Sequence, residues 1–73
     1  MNIFSDPEKI VAELPIFAGQ KVADFGAGNG AYTFLLAKKV QGIQNGEAFA
    51  IDINQGLVER IGNEAQRQGI TNI

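Results

Sequence analysis

The sequence predicts an α/β fold based on a doubly wound parallel sheet, of which the 73 residues hold only the first part. Two observations lead to this prediction. Strand patterns alternate with helix patterns along the chain, and such alternation gives parallel strands joined by right-handed crossovers. A glycine cluster also separates the first strand pattern from the helix pattern that follows, and glycine lets the backbone turn sharply there. The expected order is helix, strand, helix, strand, helix.

The first helix is predicted from a capping signal at its start. Residues 5–8 read SDPE and fit a capping box in which Ser5 caps the helix, a proline lies in the first turn and a glutamate follows three residues after the serine. Apolar residues then recur at helical spacing, at Ile10, Val11 and Leu14. Pro15 ends the helix, because the residue before a proline disfavours helical backbone.

The first strand and the second helix flank the glycine cluster. Residues 21–25 (KVADF) predict a short strand, and residues 31 to about 40 predict a helix. The expected packing residues of that helix are Leu35, Leu36 and Val40. Residues 32–34 (YTF) have low helix propensity, but the glycines before them favour a helix start. Lys38 and Lys39 are expected at a solvated helix end, where positive charge suits the helix dipole.

The second half of the chain repeats this alternation. Residues 41–46 form a predicted loop and residues 47–52 (EAFAID) a second strand. Asn54 is a suitable cap for a third helix, which ends before Gly69. One face of that helix carries Leu57, Val58, Ile61 and Ala65. Gly62 inside the helix weakens it by about 1 kcal/mol relative to alanine, and residues 71–73 are the expected approach to a third strand.

Composition excludes several function classes. Hydrophobic residues make up 45% and charged residues 19%, which is typical of a globular protein. The formal net charge of −2 argues against a nucleic-acid interface on a basic face. The chain has no Cys and no His, so no thiolate or imidazole metal site and no thiol or imidazole catalysis are expected. No apolar run approaches the length of a signal peptide or membrane span, so we expect a cytoplasmic protein.

The residues that carry chemistry lie at the ends of the two strands. Residues 24–30 read DFGAGNG, and the free N–H groups of the following helix point at the same space. The second strand ends at Asp52, which lies 22 residues after Gly30. A carboxylate at that place can accept hydrogen bonds from both ribose hydroxyls. The glycines and Asp52 therefore predict a nucleoside pocket at the carboxyl ends of the strands.

Two cofactor classes fit such a pocket. Gly26, Gly28 and Ala31 satisfy the looser dinucleotide fingerprint, which favours the NAD- or FAD-binding half of an oxidoreductase. S-adenosylmethionine has a ribose and no phosphate, and its methionine end carries an ammonium and a sulfonium group. Asp24, two residues before Gly26, suits those cations and would repel a pyrophosphate. A truncated docking fragment that binds no ligand is the alternative outside both classes.

Two stretches of the sequence resemble class I S-adenosylmethionine-dependent methyltransferases. Residues 22–33 (VADFGAGNGAYT) resemble the first motif of the family, an acidic residue followed by alternating glycines, and residues 48–53 (AFAIDI) resemble its second motif. The opening at residues 6–10 (DPEKI) is similar to bacterial members that methylate small molecules, such as those of quinone biosynthesis. The resemblance implies a Rossmann-like fold and methyl transfer from S-adenosylmethionine to a small-molecule acceptor.

The resemblance also implies a role for each donor-site residue. Asp24 would lie near the methionine ammonium, and Asp52 would hold the ribose hydroxyls. Ile53 would lie against the adenine ring. The loop under the methionine part would consist of Gly26, Ala27, Gly28 and Gly30, with main-chain groups offered by the first two. Family members place the acceptor-facing residues after a third strand, so no catalytic residue is assigned.

An incomplete sheet has further expected consequences. We expect a partial domain that stops before the third strand and is inactive by itself as an enzyme. One sheet face and one strand edge would lack cover, which predicts self-association or poor solubility of the isolated chain. The aromatic residues are nevertheless expected in the core rather than at the cofactor: Phe25, Tyr32, Phe34 and Phe49.

Overall fold

A computed structural model describes residues 6–73. Its elements are α1 (Pro7–Glu13), β1 (Lys21–Phe25), α2 (Ala31–Lys39), β2 (Glu47–Ile51) and α3 (Gln55–Gln68). The two strands pair in parallel, with Lys21 opposite Glu47 and Phe25 opposite Ile51. The predicted fold class is confirmed: these elements form the first part of a Rossmann-like parallel sheet with a preceding helix.

The start of α1 differs from the expected capping box. Asp6 holds the N-cap position, and its Oδ1 accepts the N–H groups of Glu8 at 3.1 Å and Lys9 at 3.3 Å. The prediction that Ser5 caps this helix is therefore wrong, and Ser5 itself lies outside the described residues. An aspartate satisfies the first N–H groups and also complements the positive end of the helix dipole.

The boundaries of the later elements agree closely with the prediction. Asn54 caps α3 by accepting the N–H of Leu57 at 3.2 Å, and Gly69 ends it with a left-handed φ of 72°. Gly62 is accommodated on an exposed side of α3. The second strand ends at Ile51, one residue earlier than expected, so that Asp52 lies in the loop after β2.

The core lies on the sheet face that carries Val22 and Ala48. Its buried cluster consists of Val11, Leu36, Ala37 and Ala48. Partly buried side chains surround this cluster: Ile16, Val22, Tyr32, Leu35, Ile70 and Ile73. Val40 and Thr33 are the largest side chains that are fully buried. The first of these was expected in the core, whereas the second was not.

The other face of the sheet is largely open to solvent. Phe25 is 77% exposed, Phe49 44% and Ile51 42%. The prediction that Phe25 and Phe49 belong to the core is therefore wrong, while Tyr32 and Phe34 are partly buried. Apolar identity alone does not bury a strand residue, because burial also needs a neighbour over that face. Self-association through this face stays a prediction.

The expected approach to a third strand is present as a contact rather than as a strand. The sheet within residues 6–73 has two strands. The carbonyl of Asn72 accepts the N–H of Ala48 at 2.8 Å, on the edge of β2 away from β1. The buried side-chain amide of Asn72 donates to the carbonyls of Ala37 at 2.8 Å and Gly46 at 3.2 Å. Asn72 thereby ties the segment after α3 to the end of α2.

Lys39 has a structural role that the sequence did not indicate. Its Nζ donates to the carbonyls of Val11 at 2.6 Å, Ala12 at 3.0 Å and Leu14 at 2.7 Å. These carbonyls lie at the C-terminal end of α1, where those of Val11 and Leu14 also accept the backbone N–H groups of Leu14 at 3.1 Å and Ile16 at 2.8 Å. The expectation of a solvated helix end is thus wrong for Lys39, although Lys38 is exposed.

None of the helices within residues 6–73 is long and apolar enough to cross a membrane.

Candidate functional site

The candidate site lies where β1 and β2 end side by side. The chain leaves β1 at Phe25 and turns through residues 26–30 into α2. The N–H groups of Gly26 and Ala27 both donate to the carbonyl of Ile51, at 2.7 and 3.1 Å. The glycine loop is therefore fastened to the end of β2, next to the segment that carries Asp52. Parallel pairing of the strands produces this adjacency.

Gly26 provides open space above the loop. Gly26, Gly28 and Gly30 have positive φ values of 73°, 56° and 86°, which residues with a Cβ rarely adopt. A Cβ on Gly26 would meet nothing within 4 Å, and one on Gly28 would meet only the Gly26 carbonyl oxygen, at 3.9 Å. Within residues 6–73, no side chain therefore fills the space over these two glycines. A ligand can approach the main chain there.

Gly30 has a different, structural requirement. A Cβ at this position would lie 2.9 Å from Cγ1 of Ile61 and 3.0 Å from Cε2 of Phe34. Gly30 is also the N-cap of α2 and contributes no side chain to cap it. The adjacent Asn29 supplies a cap instead, because its Oδ1 accepts the N–H of Ala31 at 3.0 Å. Gly30 thus leaves room for the side chains of Ile61 in α3 and Phe34 in α2 at the start of α2.

Asp52 joins the glycine loop to the loop after β2. Its Oδ2 accepts the N–H of Gly28 at 2.9 Å, and its Oδ1 accepts the N–H of Asn54 at 2.8 Å. The hydrogen bond from Asn54, and next that from Gly28, lower the pKa of Asp52 below its ordinary value. The carboxylate is therefore ionised and fixed in direction. Each oxygen keeps a second lone pair for a further donor.

Asp24 is held from the opposite side of the loop. Its side chain is half-buried at the end of β1, and its Oδ2 accepts the hydroxyl of Thr33 at 2.8 Å. Thr33 lies in α2 and is fully buried. Thr33 was not among the site residues predicted from the sequence. The available signal was a hydroxyl among the apolar residues of a helix that begins beside an acidic strand end.

Most main-chain donors of the glycine loop are used within the protein, and among residues 26–30 only the N–H of Asn29 has no acceptor within residues 6–73. Gly30 donates to the carbonyl of Ala27 at 2.9 Å. The engaged N–H groups are thus those of Gly26, Ala27, Gly28, Gly30 and Ala31. The expectation that Gly26 and Ala27 offer main-chain groups is therefore corrected for their N–H groups, which bond to β2. The polar side chains of this site are the two carboxylates of Asp24 and Asp52, and most of the loop N–H groups already have acceptors in the protein.

Comparison with known proteins identifies the family. A family model described as "Methyltransferase domain" matches residues 16–73. The chain belongs to this methyltransferase-domain family. The crystal structure of a SAM-dependent methyltransferase from Aquifex aeolicus is similar to it, with a TM-score of 0.78 and 34% sequence identity. No curated protein sequence matches the chain.

The chain spans only part of the length of the methyltransferase that it matches. The alignment covers 92% of this chain but only 35% of the Aquifex aeolicus protein. The resemblance to class I methyltransferases is confirmed by both comparisons. The likeness of residues 6–10 to proteins of quinone biosynthesis stays a prediction, because the family match begins at residue 16.

The methyltransferase domain brings most of the predicted site residues together. Asp52 contacts Gly28 directly, and both strand ends meet at the glycine loop. Ala27 is buried under the loop, whereas Ile53 is fully exposed beside Asp52. Gly30 leaves room for the side chains of Ile61 and Phe34. The assignment of these residues to a cofactor site stays a prediction, and substitutions at the residues can test it.

Proposed function

We propose that this methyltransferase domain binds S-adenosylmethionine as the methyl donor for transfer to a small-molecule acceptor. The observation that carries the proposal is the pairing of an open glycine loop with two carboxylates, Asp24 and Asp52, whose directions are fixed by hydrogen bonds. A ligand with a cationic amino-acid end and a ribose would find a partner for each. The crystal structure of a SAM-dependent methyltransferase that resembles this chain gives independent support.

The engaged loop donors favour this ligand over a dinucleotide. A pyrophosphate is bound by free main-chain N–H groups at a helix N-terminus. Here those of Gly26, Ala27, Gly28 and Ala31 already donate to protein acceptors. The negative charge of a pyrophosphate would also be repelled by a carboxylate, since Asp24 flanks the same loop. A sulfonium and an ammonium group instead gain from negative charge at this place.

Each residue has a defined part in holding the donor. Asp52 would accept the ribose hydroxyls with the lone pairs that Gly28 and Asn54 leave free. Asp24 would accept from the ammonium group, and Ile53 would present an exposed apolar surface to the adenine ring. The bound cofactor supplies a methyl group on a positively charged sulfur. The protein's part is to hold that group in line with an acceptor, because such transfer depends mainly on proximity and alignment.

The acceptor and the cellular location are proposed from the sequence. The net charge of −2 supports a small-molecule acceptor rather than a nucleic acid. A cytoplasmic location is proposed because no apolar run of the sequence approaches the length of a signal peptide or membrane span. Residues that act on the acceptor are assigned to none of the described positions. Methyl transfer itself is proposed for the intact protein, of which this domain supplies the donor-binding part.

Isothermal titration with S-adenosylhomocysteine tests the proposal, and NADH serves as the control ligand. We expect S-adenosylhomocysteine to bind and NADH not to bind. Asp52→Asn removes the charge and one acceptor, which is expected to weaken binding at least about tenfold. Glu59→Gln is the matched control, because it removes a carboxylate from the exposed side of α3. That variant should bind like the parent protein.

Other outcomes would support other functions. Binding of NADH without S-adenosylhomocysteine would favour the dinucleotide-binding half of an oxidoreductase and contradict the proposal. Absence of binding by a chain that circular dichroism shows to be folded would favour a docking fragment without a ligand. Equal loss of affinity in Asp52→Asn and Glu59→Gln would show that Asp52 has no specific part in the site.

A further inference from the structure

Thr33 places a hydroxyl group at a buried position of α2. The residue is fully buried, and its Oγ1 donates to Oδ2 of Asp24 at 2.8 Å. A buried hydroxyl in a helix can bond to a carbonyl of the preceding turn of the same helix. In this protein it reaches across to β1 instead. The contact therefore links the helix after the glycine loop to the strand before it.

The same contact limits the directions that the Asp24 carboxylate can take. Oδ2 is occupied by Thr33, and Oδ1 accepts no hydrogen bond from any group within residues 6–73. Oδ1 is not one of the buried polar atoms that lack a hydrogen-bond partner. It is therefore accessible to solvent. One oxygen is thus anchored in the protein, and the other is presented to an incoming donor. A charge-assisted hydrogen bond of this kind is strong and directional.

We propose that Thr33 is a positioning residue that orients Asp24 toward the ammonium group of the methyl donor. This inference rests on the proposed function, because it presupposes that Asp24 receives the amino-acid end of the ligand. Thr33 does not touch the ligand and acts only through Asp24. The helix supplies the rigid support for this, since α2 is packed against α1 and β2 and Thr33 has no exposed surface.

A pair of ligands separates positioning from a general structural effect. S-adenosylhomocysteine carries the amino-acid end, whereas 5′-methylthioadenosine keeps the nucleoside and the sulfur but lacks that end. Thr33→Val retains the shape of the side chain and removes the hydroxyl. We expect it to weaken S-adenosylhomocysteine about tenfold and to leave the affinity for 5′-methylthioadenosine within about twofold. Thr33→Ser restores the hydroxyl and should bind both ligands like the parent protein.

Further variants and a test of folding serve as controls for Thr33→Val. Thr71→Val makes the same substitution at an exposed position away from the loop and should change neither affinity. Circular dichroism confirms that each variant is folded. If Thr33→Val does not fold, Thr33→Ala is measured against Thr33→Ser in the same two titrations. The selective loss of S-adenosylhomocysteine affinity is then expected of the alanine variant.

Three results would overturn the inference. Unchanged S-adenosylhomocysteine affinity in a folded variant without the hydroxyl would show that Asp24 needs no such support. Equal loss for both ligands would show that Thr33 merely maintains the loop. Binding of both ligands by the parent protein with equal affinity would show that the ammonium is not recognised. Failure of the parent protein to bind either ligand would instead overturn the proposed function itself.

Discussion

Gly30→Ala tests whether Gly30 is needed for packing, and comparison with Gly26→Ala distinguishes this from a need for ligand access. Two costs apply at Gly30. Its φ of 86° lies in the left-handed region, where an L-residue costs about 1–2 kcal/mol. Its new Cβ would lie 2.9 Å from Ile61, which is itself only 3% exposed, and forcing a methyl group into such a contact costs about 1–3 kcal/mol. The total expected loss is about 2–5 kcal/mol.

Gly26→Ala is the matched control for this experiment. Its φ of 73° carries the same backbone cost, but a Cβ there meets nothing within 4 Å. We therefore expect a loss of only about 1–2 kcal/mol. At about 0.05–0.15 kcal/mol per residue, the 73 residues have roughly 4–11 kcal/mol of stability. Gly30→Ala can thus bring the protein close to complete unfolding, whereas Gly26→Ala leaves it folded.

Urea unfolding followed by circular dichroism measures both variants. The midpoint should fall further for Gly30→Ala than for Gly26→Ala, with an unchanged slope against urea concentration. Ligand binding should show the reverse order among folded variants, because a methyl group on Gly26 occupies the space over the loop. Equal destabilisation by the two substitutions would refute the reasoning, since only the clash with Ile61 and Phe34 distinguishes them.

Three further predictions concern contacts outside the loop. Lys39→Met removes the donor to the end of α1 and should cost about 1–3 kcal/mol in urea unfolding, whereas the exposed Lys38→Met should cost almost nothing. Asn72→Ala leaves two buried carbonyls without their donor and should lower the unfolding free energy by about 1–3 kcal/mol; a value near zero would contradict the contact. Hydrogen bonds from Arg67 and next from Gln68 lower the pKa of Glu64 from its ordinary value of 4.5 to about 2. This depressed value adds stability above pH 4.5 that is lost as the pH falls toward 2, so thermal melts of Glu64→Gln should depend less on pH in that window.

The sequence by itself determined the elements and their order. Each boundary rests on a local signal: Pro15 after α1, Asn54 before α3 and Gly69 after it. Local signals of this kind act within a few residues of chain, so their physical effect can be evaluated without the fold. The parallel pairing then follows from the alternation of strands and helices.

Part of the candidate site was also determined by the sequence. A glycine loop after one strand and Asp52 after the next must lie together once the two strands are neighbours in a parallel sheet. Asp24 was selected because it adjoins that loop, and the structure places it there. The capping residue of α1 was not determined in this way, because Ser5 and Asp6 are adjacent and both residue types can cap; the structure uses Asp6.

Only the tertiary structure decided which polar groups pair and which apolar groups are covered. Thr33 meets Asp24 across nine residues of chain, and Asn72 meets Ala37 across 35. Phe25 is apolar yet exposed, because its sheet face is not covered in the described part of the chain. Such pairings depend on distances through space between separate elements. The sequence could specify the kinds of group available, but the packing of α2 against the sheet selected their partners.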